Sequence, residues 1–320
     1  MFVKLNLYSI IKIELFLFFL EKYILFKYNK NMIADEINMF GDLIYFTAFI
    51  FGASVGSFLN VCILRIPENK PIGLDRSRCP KCGTILKASD LTPLLSYVLL
   101  LGKCRYCKTE ISPRYFLIEL LTAIMFVAAV KFFDITTHPA DSIIFAAFSC
   151  VMIIVTFIDI DHFIIPDRFS IGLIIAGPIF SLFNFYPLNH PELYHIFIGE
   201  WYKPLLNSLS GIAVAGGIFL FIFIAAEFYY SRKGIEAFGF GDVKLAAGIG
   251  AFLGWKIALF MVFFSFVIGI LFALPAMIIQ KKGTKDQIPF APAICVSGIL
   301  SFLLGSEFIS WYVNLNSMFF

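Results

Sequence analysis

Long apolar stretches dominate this chain and constrain its fold more than any other feature. Seven are long enough to cross a bilayer as helices, near residues 42–64, 115–133, 141–158, 168–186, 206–230, 257–280 and 289–312. A shorter Gly-rich segment, 243–256, predicts a further short helix that turns back near Gly254. Only 15% of the 320 residues are charged, against about 25% in a soluble domain. The sequence therefore predicts an all-α polytopic membrane protein with about eight transmembrane helices.

Both ends of the chain lie outside these stretches. Residues 1–41 are interpreted as an N-terminal extension, and residues 313–320 as a C-terminal tail. Residues 1–31 are apolar but carry charged residues within the run, namely Lys12, Glu14, Glu21, Lys22 and Lys27. A secretory signal peptide has a clean apolar core and a small-residue cleavage site, so none is predicted. An amphipathic helix, a ninth membrane helix and a chain start at Met32 or Met39 are the alternatives.

Basic residues indicate which loops face the cytoplasm. The segment 65–114 holds ten basic and four acidic residues, so the positive-inside rule makes it cytoplasmic. Counting eight spans onward places 159–168, 231–244 and 281–288 on the same side, and all three carry Lys or Arg. The predicted outer loops at 134–140 and 187–205 hold one such residue, Lys203. This topology predicts that Asp159 and Asp242 lie at the cytoplasmic face.

Four cysteines in the cytoplasmic segment form two CxxC pairs. Cys79 and Cys82 are separated from Cys104 and Cys107 by 21 residues, a spacing typical of a four-thiolate zinc site. The cytoplasm is reducing, so disulfides are disfavoured there; free or redox-active thiols are the alternative. Four thiolates complete a tetrahedron, so the zinc would be structural rather than catalytic. We expect a zinc-ribbon-like loop at 65–114.

The middle of this loop, 90–102, is apolar but too short to span a bilayer. We expect it to lie against the membrane or the helix bundle. Glu119 follows within the next apolar run. It is interpreted either as a polar contact between helices or as a residue that faces substrate.

Two aspartates border apolar runs, where burial of a carboxylate is costly. Asp159 ends one run, within FIDIDHFIIPD, and Asp242 follows two glycines in GFGD. If the two side chains meet, they form a two-carboxylate site that would share a proton and activate water. The alternative is that they only stabilise helix ends: a carboxylate favours a helix N-terminus, which suits Asp242, and Asp167 next to Pro166 is placed to cap a helix.

No other catalytic motif competes with this pair. None of the four histidines lies in an HExxH pattern, and no GxSxG or Walker-type motif occurs. The pattern favours aspartyl hydrolysis of a peptide bond.

Motifs along most of the chain resemble those of type IV prepilin peptidases. The similar segments are GASVGSFLNVCILRIP at 52–67, RCPKCG, DLTPLLSYVLLLGKCRYC, ISPRYFLIELLT, FIDIDHFIIPD, GFGDVKLAAGIGAFLGW and IPFAPAI at 288–294. They occur in the family's order over about residues 42–312.

The resemblance implies a bacterial inner-membrane aspartic endopeptidase with its active site facing the cytoplasm. Residues 115–312 would form the transmembrane peptidase domain. Such enzymes cut the leader from prepilins and pseudopilins after a Gly, and many then methylate the new N-terminus with S-adenosylmethionine. We thus expect leader peptides and the lipid bilayer as partners, and no nucleic acid.

The catalytic residues carry over by position. Asp242 matches the family's GxGD motif. The family's other aspartate lies seven residues before the Pro of an IPD or LPD ending, here Pro166, which implies Asp159; Asp161 is the fallback. The four retained cysteines are typical of the bifunctional branch. A peptidase without methyltransferase activity and a non-enzymatic zinc-ribbon subunit of a secretion machine are the alternative functions.

Overall fold

The computed structural model describes residues 39–73, 77–133, 135, 138–182, 202–230, 239–280 and 289–317. Nearly all of the predicted extension at 1–41, most of the loop at 187–205 and the loop at 281–288 lie outside these residues. Eight helices are described: α1 (Met39–Arg65), α2 (Leu95–Leu99), α3 (Pro113–Phe133), α4 (Pro139–His162), α5 (Asp167–Ser181), α6 (Lys203–Tyr230), α7 (Phe240–Gln280) and α8 (Ala291–Ser317).

The described residues confirm the predicted all-α class. Two isolated β-bridges in the cysteine loop are their only β-structure. Six of the described helices are long and apolar enough to cross a membrane, namely α1, α3, α4, α6, α7 and α8. The two other predicted spans correspond to α5, which has 15 residues, and to the first part of α7, which continues into the second. The figure of about eight therefore matches the apolar helical segments.

Gly254 interrupts α7 at the predicted turn. Its φ of 71° and ψ of 168° are not helical, and Gly adopts them without the steric cost that a Cβ would impose. The Asn207 side-chain oxygen accepts a hydrogen bond from the backbone N–H of Trp255 over 3.3 Å, which satisfies one free donor of the helix that restarts there. The break divides α7 into a first arm, 240–253, and a second arm, 255–280.

The two arms run in opposite directions along α6. Phe240, at the start of the first arm, contacts Phe223 of α6, whereas the end of that arm lies beside Asn207. In the second arm, Phe266 stacks on Phe219, with ring centroids 5.6 Å apart. The first arm is thus antiparallel to α6 and the second parallel to it. With 14 residues the first arm is about 21 Å long, shorter than a bilayer core of about 30 Å.

Two apolar cores hold the described helices together. The larger lies among α3 to α8. The smaller lies among α1, α3 and α4 and includes Leu59, Ile63, Ile118, Ile154 and Ile158. The small core holds the two ends of the cysteine loop beside the last turns of α4, which carry Asp159.

Candidate active site and metal centre

Asp159 lies in the last turn of α4 with its carboxylate turned inward. Pro166 disfavours helix before it, and α4 ends at His162 with Phe163 in the left-handed region at φ 54°. The Phe163 N–H closes the turn on the Asp159 carbonyl oxygen at 2.9 Å. Asp159 is only 6% exposed, and its Oδ2 accepts a hydrogen bond from the backbone N–H of Ala291 at 3.1 Å. The carboxylate is thus buried and held from the start of α8.

Asp242 lies in the first turn of α7, as the sequence predicts for a carboxylate at a helix N-terminus. It is 8% exposed. Its backbone N–H donates to the Gly239 carbonyl oxygen at 3.1 Å, and the Gly239 N–H donates to its carboxylate. The Gly239 backbone lies directly beside this side chain, since a Cβ there would meet Asp242 Oδ2 at a van der Waals distance of 3.4 Å.

The turn after α4 and the start of α7 are in direct contact. A Cβ on Gly241 would stand 3.1 Å from Cβ of Ile165. One turn further, the ammonium group of Lys244 pairs with Asp167. The Asp159 and Asp242 carboxylates are close enough for their charges to repel each other. The structure therefore brings the two predicted catalytic aspartates into one buried site.

The neighbouring aspartates have other partners. Asp161 pairs with Arg114 at the start of α3, and the Arg114 guanidinium lies 5.4 Å from the Phe157 ring centroid. The cap position of α5 is Pro166, and Asp167 is the first residue of the helix itself, so the prediction that Asp167 caps α5 is wrong. Among the described residues neither Asp159 nor Asp242 forms an ion pair. These two therefore remain the candidates for the two-carboxylate site.

Two polar groups at this site were missed in the sequence. One is the backbone N–H of Ala291. The two prolines of IPFAPAI indicate that a helix starts there, but they do not indicate which residue the start of the helix contacts. The other is the thiol of Cys295, a buried residue of α8 that no motif singled out. The thiol is hydrogen-bonded to Thr156 and lies close enough to both aspartates to interact with their charges.

The four predicted metal ligands form one cluster. The Sγ atoms of Cys79, Cys82, Cys104 and Cys107 all lie within 4.8 Å of one another, and those of Cys79 and Cys107 are 3.8 Å apart. Zn–S bonds of about 2.3 Å in a tetrahedron place sulfur atoms about 3.8 Å apart. The cluster can hold a metal ion.

The two CxxC segments have the same backbone design. In each, the first cysteine's N–H bonds to a threonine carbonyl five residues on, from Cys79 to Thr84 and from Cys104 to Thr109. One bridge flanks each turn. The residue after each pair has positive φ: Gly83 at 68° and Lys108 at 58°. Two matching turns that face each other are a zinc-knuckle arrangement.

Hydrogen bonds to sulfur prepare part of this cluster for metal binding. The Thr109 hydroxyl and N–H lower the pKa of the Cys107 thiol to about 6, and the Thr84 hydroxyl likewise lowers the pKa of Cys82. Backbone N–H groups act on Cys79 in the same direction, but burial and the neighbouring thiols outweigh them, so its pKa is raised. Because the thiolate is the ligand form, Cys107 is ready to bind a cation at neutral pH.

Glu119 makes a contact that joins the cysteine loop to the helices. Its Oε2 accepts a hydrogen bond from the backbone N–H of Leu94 at 2.8 Å, and Ser57 of α1 donates to the same carboxylate. Gly56 permits this approach, since a Cβ there would stand 2.7 Å from Cα of Glu119. Of the two interpretations of Glu119, the polar contact between helices is supported, and this contact also includes the backbone of the cysteine loop.

Comparisons with known proteins match both halves of the chain. The model of the bacterial peptidase A24 N-terminal domain matches residues 50–133, and that of the type IV leader peptidase family matches residues 146–274. No solved structure matches the chain.

Three similar curated proteins are each named prepilin leader peptidase/N-methyltransferase. That of Bacillus subtilis (strain 168) is 34% identical over 270 residues, covering 83% of this chain and 97% of the relative. That of Neisseria gonorrhoeae is 33% identical over 294 residues, covering 83% and 94%. That of Aeromonas salmonicida (strain A449) is 30% identical over 301 residues, covering 85% and 94%.

Proposed function

The chain belongs to the type IV leader peptidase family, and from this premise we propose that Asp159 and Asp242 are its catalytic pair. It is a multi-pass membrane enzyme that removes the leader peptide of prepilins. The observation that carries the proposal is the burial of both carboxylates against each other at one contact between two motifs. Pseudopilins, with the same kind of leader, belong to the proposed substrate range.

The proposed mechanism uses one carboxylate as base and the other as acid. Two adjacent carboxylates share one proton, because both cannot easily be charged at short range. The ionised one takes a proton from the attacking water, and the protonated one donates to the oxygen of the scissile carbonyl. The Ala291 N–H holds Asp159 in place, and the Gly239 N–H does so for Asp242. Burial of the two carboxylates keeps bulk water out of the site, apart from the attacking water molecule.

The second activity is N-methylation of the new N-terminus. It follows from the names of the relatives, which combine leader peptidase and N-methyltransferase, and it implies S-adenosylmethionine as methyl donor. When bound, the donor would supply an electrophilic methyl group to the freed α-amino group, with S-adenosylhomocysteine as the leaving group. No residue of the described part of the chain is assigned to hold the donor.

We assign the four cysteines to structural zinc. The loop between α1 and α3 has little apolar core of its own, so metal binding would supply much of its folding free energy. The four cysteine sulfurs would fill all four positions of a tetrahedral zinc ion and would leave none for a reacting water. The predicted domain bounds and the cytoplasmic orientation of loop and active site stay part of the proposal.

The experiment is leader removal by the purified enzyme in lipid nanodiscs, using a recombinant prepilin whose basic leader ends in Gly. Asp159→Asn and Asp242→Asn should each lower the cleavage rate by at least about a thousandfold. Asp161→Asn is the matched control, because Asp161 pairs with Arg114 at the surface, and it should retain most activity.

The alternatives predict different outcomes. Normal cleavage by both single variants would contradict the catalytic pair. If the non-enzymatic subunit is correct, all three variants are silent and only cysteine changes disturb assembly of a secretion machine. A peptidase without methyltransferase activity would release a mature N-terminus that lacks the added mass of one methyl group when S-adenosylmethionine is supplied.

A further inference from the structure

Four large apolar side chains around α2 are exposed within the cysteine loop. Their exposed fractions are 57% for Leu95, 56% for Val98, 78% for Leu99 and 82% for Leu101. We call these four residues the apolar ledge. Leucine in a polar, metal-binding loop gains nothing from contact with water, and clustered exposed apolar residues mark an interaction surface.

The opposite face of the same segment packs on the helix bundle. The Tyr97 ring contacts Phe116 of α3, with centroids 5.4 Å apart, and its hydroxyl donates to the Ile111 carbonyl oxygen at 3.3 Å. The Leu94 N–H donates to Glu119. The side of α2 that meets the bundle is therefore already satisfied, and the ledge faces away from it.

Two unusual backbone conformations hold the ledge in this position. Leu94 has φ 59° and Leu101 has φ 52°, and a positive φ is sterically unfavourable for a residue as bulky as leucine. The Glu119 carboxylate stabilises the first through its hydrogen bond. Strained residues on both sides of a five-residue helix, together with the half-buried Glu119 anchor, indicate that the exposure of the ledge is imposed by the fold.

Glu119 also sets the position of the ledge along the axis of α3. It is the seventh residue of α3, a membrane-spanning helix that begins at Pro113, so it lies about 9 Å along the helix axis. The Leu94 backbone, in contact with Glu119, lies at that level. Interfacial helices bury their apolar face about 5–10 Å into the boundary between headgroups and acyl chains. Leu117 of α3, two residues before Glu119, is also an exposed apolar side chain.

Exposed lysines flank the apolar ledge. Lys87 lies eight residues before the first residue of the ledge, and Lys103 lies two residues after the last. Arg105 already forms an ion pair with Asp90. Lysines close to the ledge in sequence suit the anionic headgroups of a membrane surface. An apolar face bordered by cations matches a bilayer interface better than the surface of an acidic protein, which would not bury four aliphatic side chains.

We propose that the apolar ledge inserts into the lipid bilayer at the interface and anchors the four-cysteine site there. The loop thus has two attachments, Glu119 to the bundle and the ledge to lipid. The consequence is that the metal centre stays at the membrane surface, close to the helix ends that carry the aspartates, rather than moving freely in water. This proposal does not depend on the peptidase chemistry.

Tryptophan fluorescence in nanodiscs tests the insertion. In a background with Trp201, Trp255 and Trp311 changed to Phe, a single Trp replaces Leu99. Lipids brominated on the acyl chains should quench Leu99→Trp at least about half as strongly as Phe221→Trp, whose exposed side chain lies within a membrane-spanning helix. Lys81→Trp, between two cysteines, should be quenched several-fold less than Leu99→Trp.

A second reagent separates lipid from the other possible surroundings. Leu99→Trp should be protected from aqueous iodide, whereas Lys81→Trp should be accessible to it. If Leu99→Trp were quenched by iodide and no more by brominated lipid than Lys81→Trp is, the ledge would lie in water or await a protein partner, and the proposal would fail. Zinc content, measured on each variant, confirms that the loop is folded. Cleavage is not the readout, so a failure here leaves the proposed function untouched.

Discussion

The backbone N–H of Ala291 donates a hydrogen bond to the carboxylate of Asp159 across 132 residues of sequence. Ala291 is the first residue of α8, so its N–H has no partner within that helix. A helix N-terminus is also the positive end of the helix dipole. Asp159 is therefore held by a rigid element that belongs to neither aspartate motif. This contact makes the start of α8 part of the proposed active site.

Removal of this single donor should slow cleavage without unfolding α8. Ala291→Pro lacks the N–H, and proline is well tolerated at the first position of a helix. A hydrogen bond to a charged group is worth about 1.5–3 kcal/mol, so we expect a loss of about 10- to 100-fold in kcat. Ala291→Val is the matched control, because it adds bulk at the same buried position but keeps the donor. Equal losses in both variants would show that bulk, rather than the hydrogen bond, is responsible.

The choice between Asp159 and Asp161 shows how far sequence alone leads. Two residues differ by about 200° around a helix, so one of the pair must face the bundle if the other faces outward. The sequence pattern indicates that only one of the two aspartates faces the bundle, but it does not say which one. The choice of Asp159 rested on the spacing to Pro166 that the family resemblance supplied. In the structure Asp159 is buried and Asp161 pairs with Arg114, which supports the proposal of Asp159 without testing its catalytic role.

Contacts made by the backbone could not be predicted from residue types. Every residue except proline carries an N–H, so nothing in IPFAPAI distinguishes Ala291 as a donor to Asp159. Close helix contacts are similarly hidden. Gly254 was predicted to turn the chain because Gly, Trp and Lys interrupt an apolar run, whereas the approach of Gly211 to Gly250 depends on how α6 and α7 pack. Metal-ligand spacing, in contrast, is local and was visible in the sequence.

The Lys244–Asp167 ion pair should contribute to alignment and little to catalysis. Both side chains retain exposure to solvent, and exposed pairs are worth about 0.2–1 kcal/mol. We therefore expect Lys244→Met and Asp167→Asn to lower the cleavage rate by less than about fivefold each. In a double-mutant cycle the combined variant should lose less than the sum of the two free energies. Losses as large as that of Asp242→Asn would instead place one of these groups in the chemical step.

Helix packing at Gly211 should be intolerant of a single methyl group. A Cβ at Gly211 would overlap the carbonyl oxygen of Gly250 in the first arm of α7, and backbone cannot move aside cheaply. Gly211→Ala should lower thermal stability in detergent by an amount equivalent to about 1–3 kcal/mol. Gly217→Ala, in the same helix but with nothing within 4 Å of the new Cβ, should leave stability unchanged or slightly raised. Similar melting temperatures for both variants would contradict the close approach.

The metal centre predicts a sharp division among the cysteines. Cys79→Ser and Cys107→Ser should each abolish zinc binding, because both thiols belong to the four-sulfur cluster. Cys62 and Cys150 lie in membrane-spanning helices and outside the cluster. The variants Cys62→Ser and Cys150→Ser should therefore each retain one zinc ion per chain, as measured by elemental analysis. Chelation of the wild-type protein should make the loop sensitive to protease, since structural zinc supplies folding free energy. Full zinc occupancy in Cys107→Ser, or a loop that stays protease-resistant after metal removal, would refute a structural four-thiolate site.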